Sequence, residues 1–295
     1  MRRRKKVIPV ETALDEYLTG IDFKKLSEVN LSSYSLMTSL RYLLAKSKGQ
    51  QGNIVYGVKY KNTDLDPDSF KRAFLEDLCE VYSVKNPELE KIFSLANGKM
   101  EAIKKALSSA GYAVIDFRAE TSSRLIIGIS AESFSKLIFD VGLSWDSYLN
   151  LPYIPASSLK GAFRAYLRQH NVSLAGLSAE TLLGTINEGS YVVFTDSYPV
   201  ACRTRLLAPE VTTPIYSEVG GKIMESEAQP TPIIYPVVEK GVSFRIIIGI
   251  KQAAPEEHSK RKALGELQEK LMTFMFSTLK QGIGAKTLIG YGILV

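Results

Sequence analysis

Apolar residues recur at two different periods along this chain, and the period changes near residue 112. Upstream, Leu36, Leu40, Leu43 and Leu44 fall at helix spacing behind Ser32 and Ser33, which are plausible N-caps. Gly49-Gln-Gln-Gly-Asn53 reads as a turn. Asp66-Pro67 opens a second helix, with Asp at the cap and Pro in the first turn, followed by Phe70, Phe74, Leu78 and Val81. A third is expected from about Pro87 to Gly111, carrying Ile92, Leu95, Ile103 and Leu107. This helical part holds no catalytic motif.

From residue 112 the pattern becomes that of strands. Tyr112–Phe117 and Arg124–Ile129 are short and rich in β-formers, and the second is nearly continuously apolar, as a buried strand requires. A helix at 158–169, a strand at 190–195 and a Pro-punctuated stretch at 198–236 follow. Val242–Ile250 is the clearest strand, and a long helix from about Glu256 to Lys280 sets Leu264, Leu267, Leu271, Phe274 and Leu279 on one side. Thr287 to Val295 is expected as a closing strand. The order β-α-β-β-α-β predicts an α+β, ferredoxin-like (RRM-like) core with both helices on one face. The expected organisation is a helical extension, 1–111, packed on a core domain, 112–295, with an insertion at about 198–236 that forms a functional loop or small hairpin.

Composition narrows the function classes. Apolar content of 45% and charged content of 23% are those of an ordinary globular protein. No apolar run approaches the roughly 20 residues that span a bilayer. The basic start, Met1-Arg-Arg-Arg-Lys-Lys6, lacks a signal-peptide core, so a cytoplasmic protein is expected. Cys79 and Cys202 lie far apart, and with only two histidines they form no metal-ligand pattern; neither a metal nor another cofactor is expected. The net charge of +6 favours a polyanionic partner.

Two stretches carry candidate chemistry. In the helix at 158–169, Leu159, Ala162, Phe163, Tyr166 and Leu167 form one apolar stripe, and Lys160, Arg164 and Arg168 form a second stripe of cations. Ser157 or Ser158 is placed to cap its N-terminus, where free N–H groups attract anions. No Asp or Glu occurs from Leu151 to Ser178. A second acid-free window, Lys270–Val295, contains the pairs Gly282/Gly284 and Gly290/Gly292 around Lys286. Such a loop can press N–H groups and a cation against phosphate, or it can be a tight helix-to-strand turn. Likewise the cationic stripe suits either a phosphate backbone or plain solvent.

Tyr153-Ile-Pro-Ala-Ser-Ser-Leu-Lys-Gly-Ala-Phe-Arg164 resembles the I-P-G-S-S-L-K-G-x-x-R segment of the RAMP superfamily of CRISPR proteins, with Ala156 in place of the usual glycine. Gly282-x-Gly284-x5-Gly290-x-Gly292 resembles that superfamily's C-terminal glycine-rich loop. The helical extension, the wording of the loop and Thr213-Pro-Ile-Tyr216 before a Val-x-Phe-x-Ile strand are similar to one subunit type of the Cmr complex, the type III-B RNA-targeting effector. The resemblance implies a non-catalytic RNA-binding subunit of antiviral defence that caps the complex's helical backbone. Its partners would be guide RNA and target RNA, contacted at the 3′ region of the guide or at the guide–target duplex, and other Cmr subunits, above all the backbone RAMP subunits. On the matching positions it implies RNA contact by Ser157, Ser158, Lys160, Gly161 and Arg164 and by Gly282, Gly284, Lys286, Gly290 and Gly292. Charge and position add Arg168, Arg203 and Arg205.

The competing reading is a RAMP-type endoribonuclease that processes precursor guide RNA. Metal-independent cleavage wants a histidine as acid or base, and the chain offers His170, at the end of the basic helix, and His258, at the start of a solvated one. Metal-dependent cleavage wants a loop aspartate; Asp140 and Asp146 lie in the right region but also read as ordinary loop carboxylates. No P-loop motif supports nucleotide hydrolysis.

Overall fold

The computed structural model describes residues 58–60, 63–65, 67–128, 139, 141–174, 176–213, 217–219, 222–224, 232–251 and 258–295. The helix expected at Leu36–Leu44 with Ser32 and Ser33, the turn at 49–53, Asp140 and residues 214–216 lie outside them. The helices are α1 (Pro67–Val81), α2 (Pro87–Ser109), α3 (Ala156–Gln169), α4 (Ala179–Leu183) and α5 (His258–Gln281). The strands are β1 (Val58–Tyr60), β2 (Thr63–Leu65), β3 (Tyr112–Glu120), β4 (Trp145–Asp146), β5 (Leu151–Pro152), β6 (Val192–Phe194) and β7 (Tyr198–Cys202). They continue with β8 (Leu207–Thr212), β9 (Ser217–Val219), β10 (Lys222–Met224), β11 (Ile233–Val238) and β12 (Val242–Lys251).

The clearest strand of the sequence, Val242–Ile250, becomes the middle strand of the principal sheet. β12 pairs antiparallel with β3 along one edge, from Ser243 opposite Glu120 to Lys251 opposite Tyr112. Along its other edge it pairs antiparallel with β6 and then β7. Successive residues of β3 show why β12 is buried on both sides. Asp116 faces α2, where Arg245 of β12 gathers Asp116, Glu101 and the Asn97 side chain at 2.6–2.9 Å. Phe117 faces the opposite way, onto Phe276 of α5, with ring centroids 4.9 Å apart. Helices therefore cover both faces, and the sheet does not offer the open stacking surface of an RRM. Arg245, only 7% exposed, keeps its charge because hydrogen bonds to Asp116, then Glu101, outweigh burial. The same bond from Arg245 holds the Asp116 carboxyl below its ordinary range.

The N-terminal elements depart from the sequence reading at two points, the first being the antiparallel hairpin of β1 and β2 within the stretch expected to be helical. The Asn86 side chain accepts the Glu88 N–H at 3.1 Å and so caps α2. The buried stripe of α2 is Leu89, Ile92, Phe93, Ala96 and Met100. Leu95, expected on that stripe, is 55% exposed, because Leu89 rather than Leu95 sets the face that meets the sheet. In α1, Phe74, Leu78 and Val81 are buried as expected.

Two expected strands are not regular strands. Residues 124–127 run extended between β11 and the C-terminus, bonded by Leu125 to Val238 and by the Arg124 and Ile126 carbonyls to the N–H groups of Gly292 and Ala285. The segment expected as the last strand begins as a 3-10 turn, Thr287–Ile289, flanked by left-handed Lys286 (φ 60°) and Gly290 (φ 90°). Only afterwards does it straighten, exchanging backbone bonds between Glu120 and Val295. Of the stretch expected as an insertion, β7 belongs instead to the principal sheet, while β8 pairs antiparallel with β11 as a two-stranded arm with the hairpin β9–β10 between them. The result is a mixed α+β chain with antiparallel sheets, as the sequence predicts; its described pairings do not set out a four-strand ferredoxin-like ladder. No described helix is long and apolar enough to cross a membrane.

Candidate nucleic-acid interface

Helix α3 buries Leu159, Phe163 and Leu167, and Phe163 packs on Phe194 of β6 with centroids 5.9 Å apart. That orientation turns the cationic stripe outward, where Lys160, Arg164 and Arg168 line a groove of about 710 Å³ against Glu180 and residues 183–190. Each cation meets a different environment. Arg164 Nη2 donates to the carbonyls of Leu183 and Gly184 at 3.2 and 2.9 Å, so it holds the end of α4 and the loop that follows. Its buried Nε has no hydrogen-bond partner among the described residues. Arg168 pairs with Glu180 at 2.9 Å. Glu180 lies below the usual carboxylate range through its own backbone N–H first and Arg168 second. Lys160 has no acid within ion-pair distance among the described residues. Beside it Gly161 is exposed, and a Cβ added there would meet nothing within 4 Å.

The window free of acids in sequence is not free of them in space. Ser157 and Ser158 do not cap α3; Pro155 occupies the cap, and the Ala156 N–H donates to Asp196 Oδ1 at 2.8 Å. Asp196 arrives from the β6–β7 connection and fills the position expected for a bound anion.

The C-terminal loop is organised from within. Gly282, Gly284, Gly290 and Gly292 all have positive φ, between 72° and 98°. A Cβ on Gly292 would stand 1.9 Å from the Ile283 carbonyl oxygen, and one on Gly284 2.2 Å from that of Ile126. Those glycines allow the protein's own backbone to approach; at Gly290 a Cβ would meet open space. Lys286, expected to reach phosphate, directs its ammonium to the hydroxyls of Thr212 and Tyr235, the latter at 2.8 Å. It also lies 5.5 and 5.7 Å from the ring centroids of Tyr235 and Tyr291. The neighbouring Tyr291 hydroxyl donates to Glu210 at 2.7 Å, and Arg124 meets the same oxygen at 2.9 Å. Burial alone would raise Glu210, but these two bonds outweigh it and keep the carboxyl below its ordinary range. The bond to Glu210, with burial second, pushes Tyr291 up to about 12.

Arg203 and Arg205 stand apart from the α3 groove. They line a second groove of about 770 Å³ with Lys85, Glu120, Glu239, Lys240 and Val295, among others, and the two grooves share no lining residue. Arg203 pairs with Glu120 at 2.6 Å and Arg205 with Glu239 at 3.2 Å. The helix and the glycine loop do adjoin: Tyr166 packs on Phe274 at 6.1 Å, and His170 Nε2 meets the Gln281 amide at 3.0 Å, one residue before Gly282.

Of the remaining candidates, His170 and Asp146 have structural partners. The His170 ring lies 4.4 Å from that of Tyr166. His258 opens α5, and its side chain is outside the described residues. Asp146 accepts from Lys99, Tyr198 and the N–H groups of Tyr148 and Leu149 at 2.8–3.0 Å; burial raises it, but these bonds prevail and lower it. Burial pushes Cys79 up to about 12 and Cys202 up to about 11, so both thiols stay protonated at neutral pH. Among the described residues no three His, Cys, Asp or Glu side chains gather where they could hold a metal ion.

The profile of the RAMP superfamily matches residues 118–295. The chain is also 30% identical over 288 residues to the CRISPR system CMR subunit Cmr6 of Saccharolobus solfataricus, spanning 92% of each protein. Its fold matches a chain in the cryo-EM structure of the type III-B Cmr-beta bound to cognate target RNA. That match has a TM-score of 0.65 and 26% identity, and it covers 97% of this chain and 95% of the other.

Proposed function

The chain belongs to the RAMP superfamily, and we propose that it is a non-catalytic RNA-binding subunit of a type III-B CRISPR (Cmr) effector in antiviral defence. In this reading it caps the helical backbone of the complex and touches the 3′ region of the guide, or the guide–target duplex, through phosphates. The observation that carries the reading is the end-to-end match to a chain of a target-RNA-bound effector, which leaves no large region unaccounted for. The core from residue 112 is then a ferredoxin-like RAMP domain whose regular ladder is interrupted by irregular edge segments. Residues 1–111 are an extension that packs on it, as α2 already does on the sheet.

The α3 groove is where the geometry best supports a phosphate contact. Lys160 has no ion-pair partner among the described residues, although Glu180 and Glu188 line the same groove; beside it Gly161 leaves room for a backbone to approach, and Ser157 and Ser158 offer hydroxyls that are not spent on capping. Arg168 can exchange an exposed carboxylate for phosphate at little cost. Arg164 serves the groove by holding its second wall, the loop after α4. Arg203 and Arg205 offer a second, separate set of cations. In the glycine loop, Gly282, Gly284 and Gly292 set the shape, and Gly290 is the glycine with free space beside it.

Fluorescence anisotropy with labelled guide RNA at several salt concentrations tests this. Log affinity should fall linearly with log salt by about 0.7 for each phosphate contacted on a single strand. A flat dependence contradicts phosphate recognition. Labelled precursor RNA should stay intact through the same incubations. Cleavage that disappears in His170→Ala would establish the endoribonuclease reading instead.

A further inference from the structure

We propose that Leu288 and Ile289, at the tip of the glycine loop, form an apolar knob that seats in an apolar groove of a neighbouring protein subunit. The inference rests on the reading that this chain works inside a multi-subunit effector. Leu288 is 101% exposed and Ile289 70%. Single exposed aliphatic residues are common and need no partner. These two differ because they are consecutive and because the backbone that presents them is held from every side. Ile289, Gly290 and Tyr291 donate their N–H groups back to Lys286, Thr287 and Lys286. Below the tip, the Ile283 N–H donates to the Gly292 carbonyl, and the Gly292 and Ala285 N–H groups reach the Arg124 and Ile126 carbonyls. The Lys286 ammonium ties the base of the turn to Thr212 and Tyr235 of the β8–β11 arm. A rigid mount of this kind spares the ordering cost that a flexible loop would meet on binding.

The charge distribution selects the partner. From Thr287 to Val295 there is no charged side chain, and the ammonium of the preceding residue, Lys286, is turned inward. An apolar wedge that enters nucleic acid needs flanking cations for the strand it parts, because phosphate contacts supply most of the affinity. Leu288 and Ile289 carry neither charge nor ring themselves, and the neighbouring Arg124 and Tyr291 are both engaged by Glu210. Two aliphatic side chains without charge match instead the buried anchor of a protein interface, with other contacts of the subunit supplying the surrounding area.

The test uses the full chain co-expressed with the other subunits of its effector, comparing wild type, L288D/I289D and the conservative L288M/I289V. Because both side chains are exposed, L288D/I289D should keep Tm within about 2 °C of wild type. Its affinity for a labelled single-stranded RNA should stay within about twofold, as no phosphate contact is removed. Its recovery with the other subunits should fall at least about tenfold, and L288M/I289V should restore it. Undiminished co-purification of L288D/I289D overturns the proposal, as does a loss of RNA affinity with assembly intact, which would make the tip a base wedge. A wild-type chain that fails to assemble at all overturns the subunit reading and the knob together. Failure of the knob alone leaves wild-type assembly and its salt-dependent RNA binding in place.

Discussion

Helix α3 and the C-terminal loop begin as the same kind of sequence: an acid-free window with cations and glycine. In the fold they part. Among the described residues the α3 window keeps one cation without an ion pair, Lys160, beside a glycine whose missing side chain faces open space. The loop spends its lysine on two internal hydroxyls and three of its glycines on close internal packing. Glycine and lysine in a charged window are therefore not a phosphate signature by themselves. What decides is whether the room that glycine opens is taken by the protein's own backbone or left for a ligand.

Substitutions can break this contrast, and the largest effects belong to the loop. Gly292→Ala and Gly284→Ala place a Cβ against a carbonyl oxygen at a positive φ, and each should cost about 3 kcal/mol or more in urea unfolding. Gly161→Ala, by contrast, meets no atom and should stabilise α3 by about 0.5–1 kcal/mol. If Gly161 serves close approach, the same variant weakens RNA binding despite the gain in stability. Equal losses of stability at Gly161 and Gly292 would erase the distinction.

Lys286→Met removes two hydrogen bonds and leaves the Thr212 and Tyr235 hydroxyls without that partner. A cost of about 1–3 kcal/mol is expected, with RNA affinity changed less than about twofold. Loop chemistry also predicts a pH response. Tyr291 is raised to about 12 through its bond to Glu210, so the folded state holds that proton when the unfolded chain has lost it. Its contribution is complete below the ordinary tyrosine range near 10 and lost as pH rises through about 12. Thermal melts across that window should show a steeper alkaline decline in wild type than in Tyr291→Phe. Glu210 works with the opposite sign: its lowered pKa gives stability above the ordinary carboxylate range that is lost on acidification.

How far each region could be read in the sequence follows from the range of its interactions. The buried stripe of α3 and the continuous burial of β12 are periodic, local signals, and both are realised. Asp196 at the start of α3 is 40 residues away from the N–H it accepts, and Lys286 is 74 and 51 residues from its hydroxyl partners. No local pattern announces such contacts, so an acid-free window in sequence said nothing of the acids that folding brings to it. The last strand fails for a local reason that was visible: glycines at 290 and 292 signal a turn as readily as a strand edge. The stretch at 198–236 reads in sequence as one excursion, but its strands, β7 in the principal sheet and β8 in the arm, are hidden by prolines such as Pro209, which faces Pro236 within the ladder.

The most direct test compares salt-dependent RNA binding of Lys160→Glu and Lys286→Met with wild type. Lys160→Glu should weaken binding at least about tenfold at low salt, alike for unrelated sequences, and lower the salt slope by about one; Lys286→Met should leave the slope unchanged. A slope that falls in Lys286→Met and stays intact in Lys160→Glu would contradict the account.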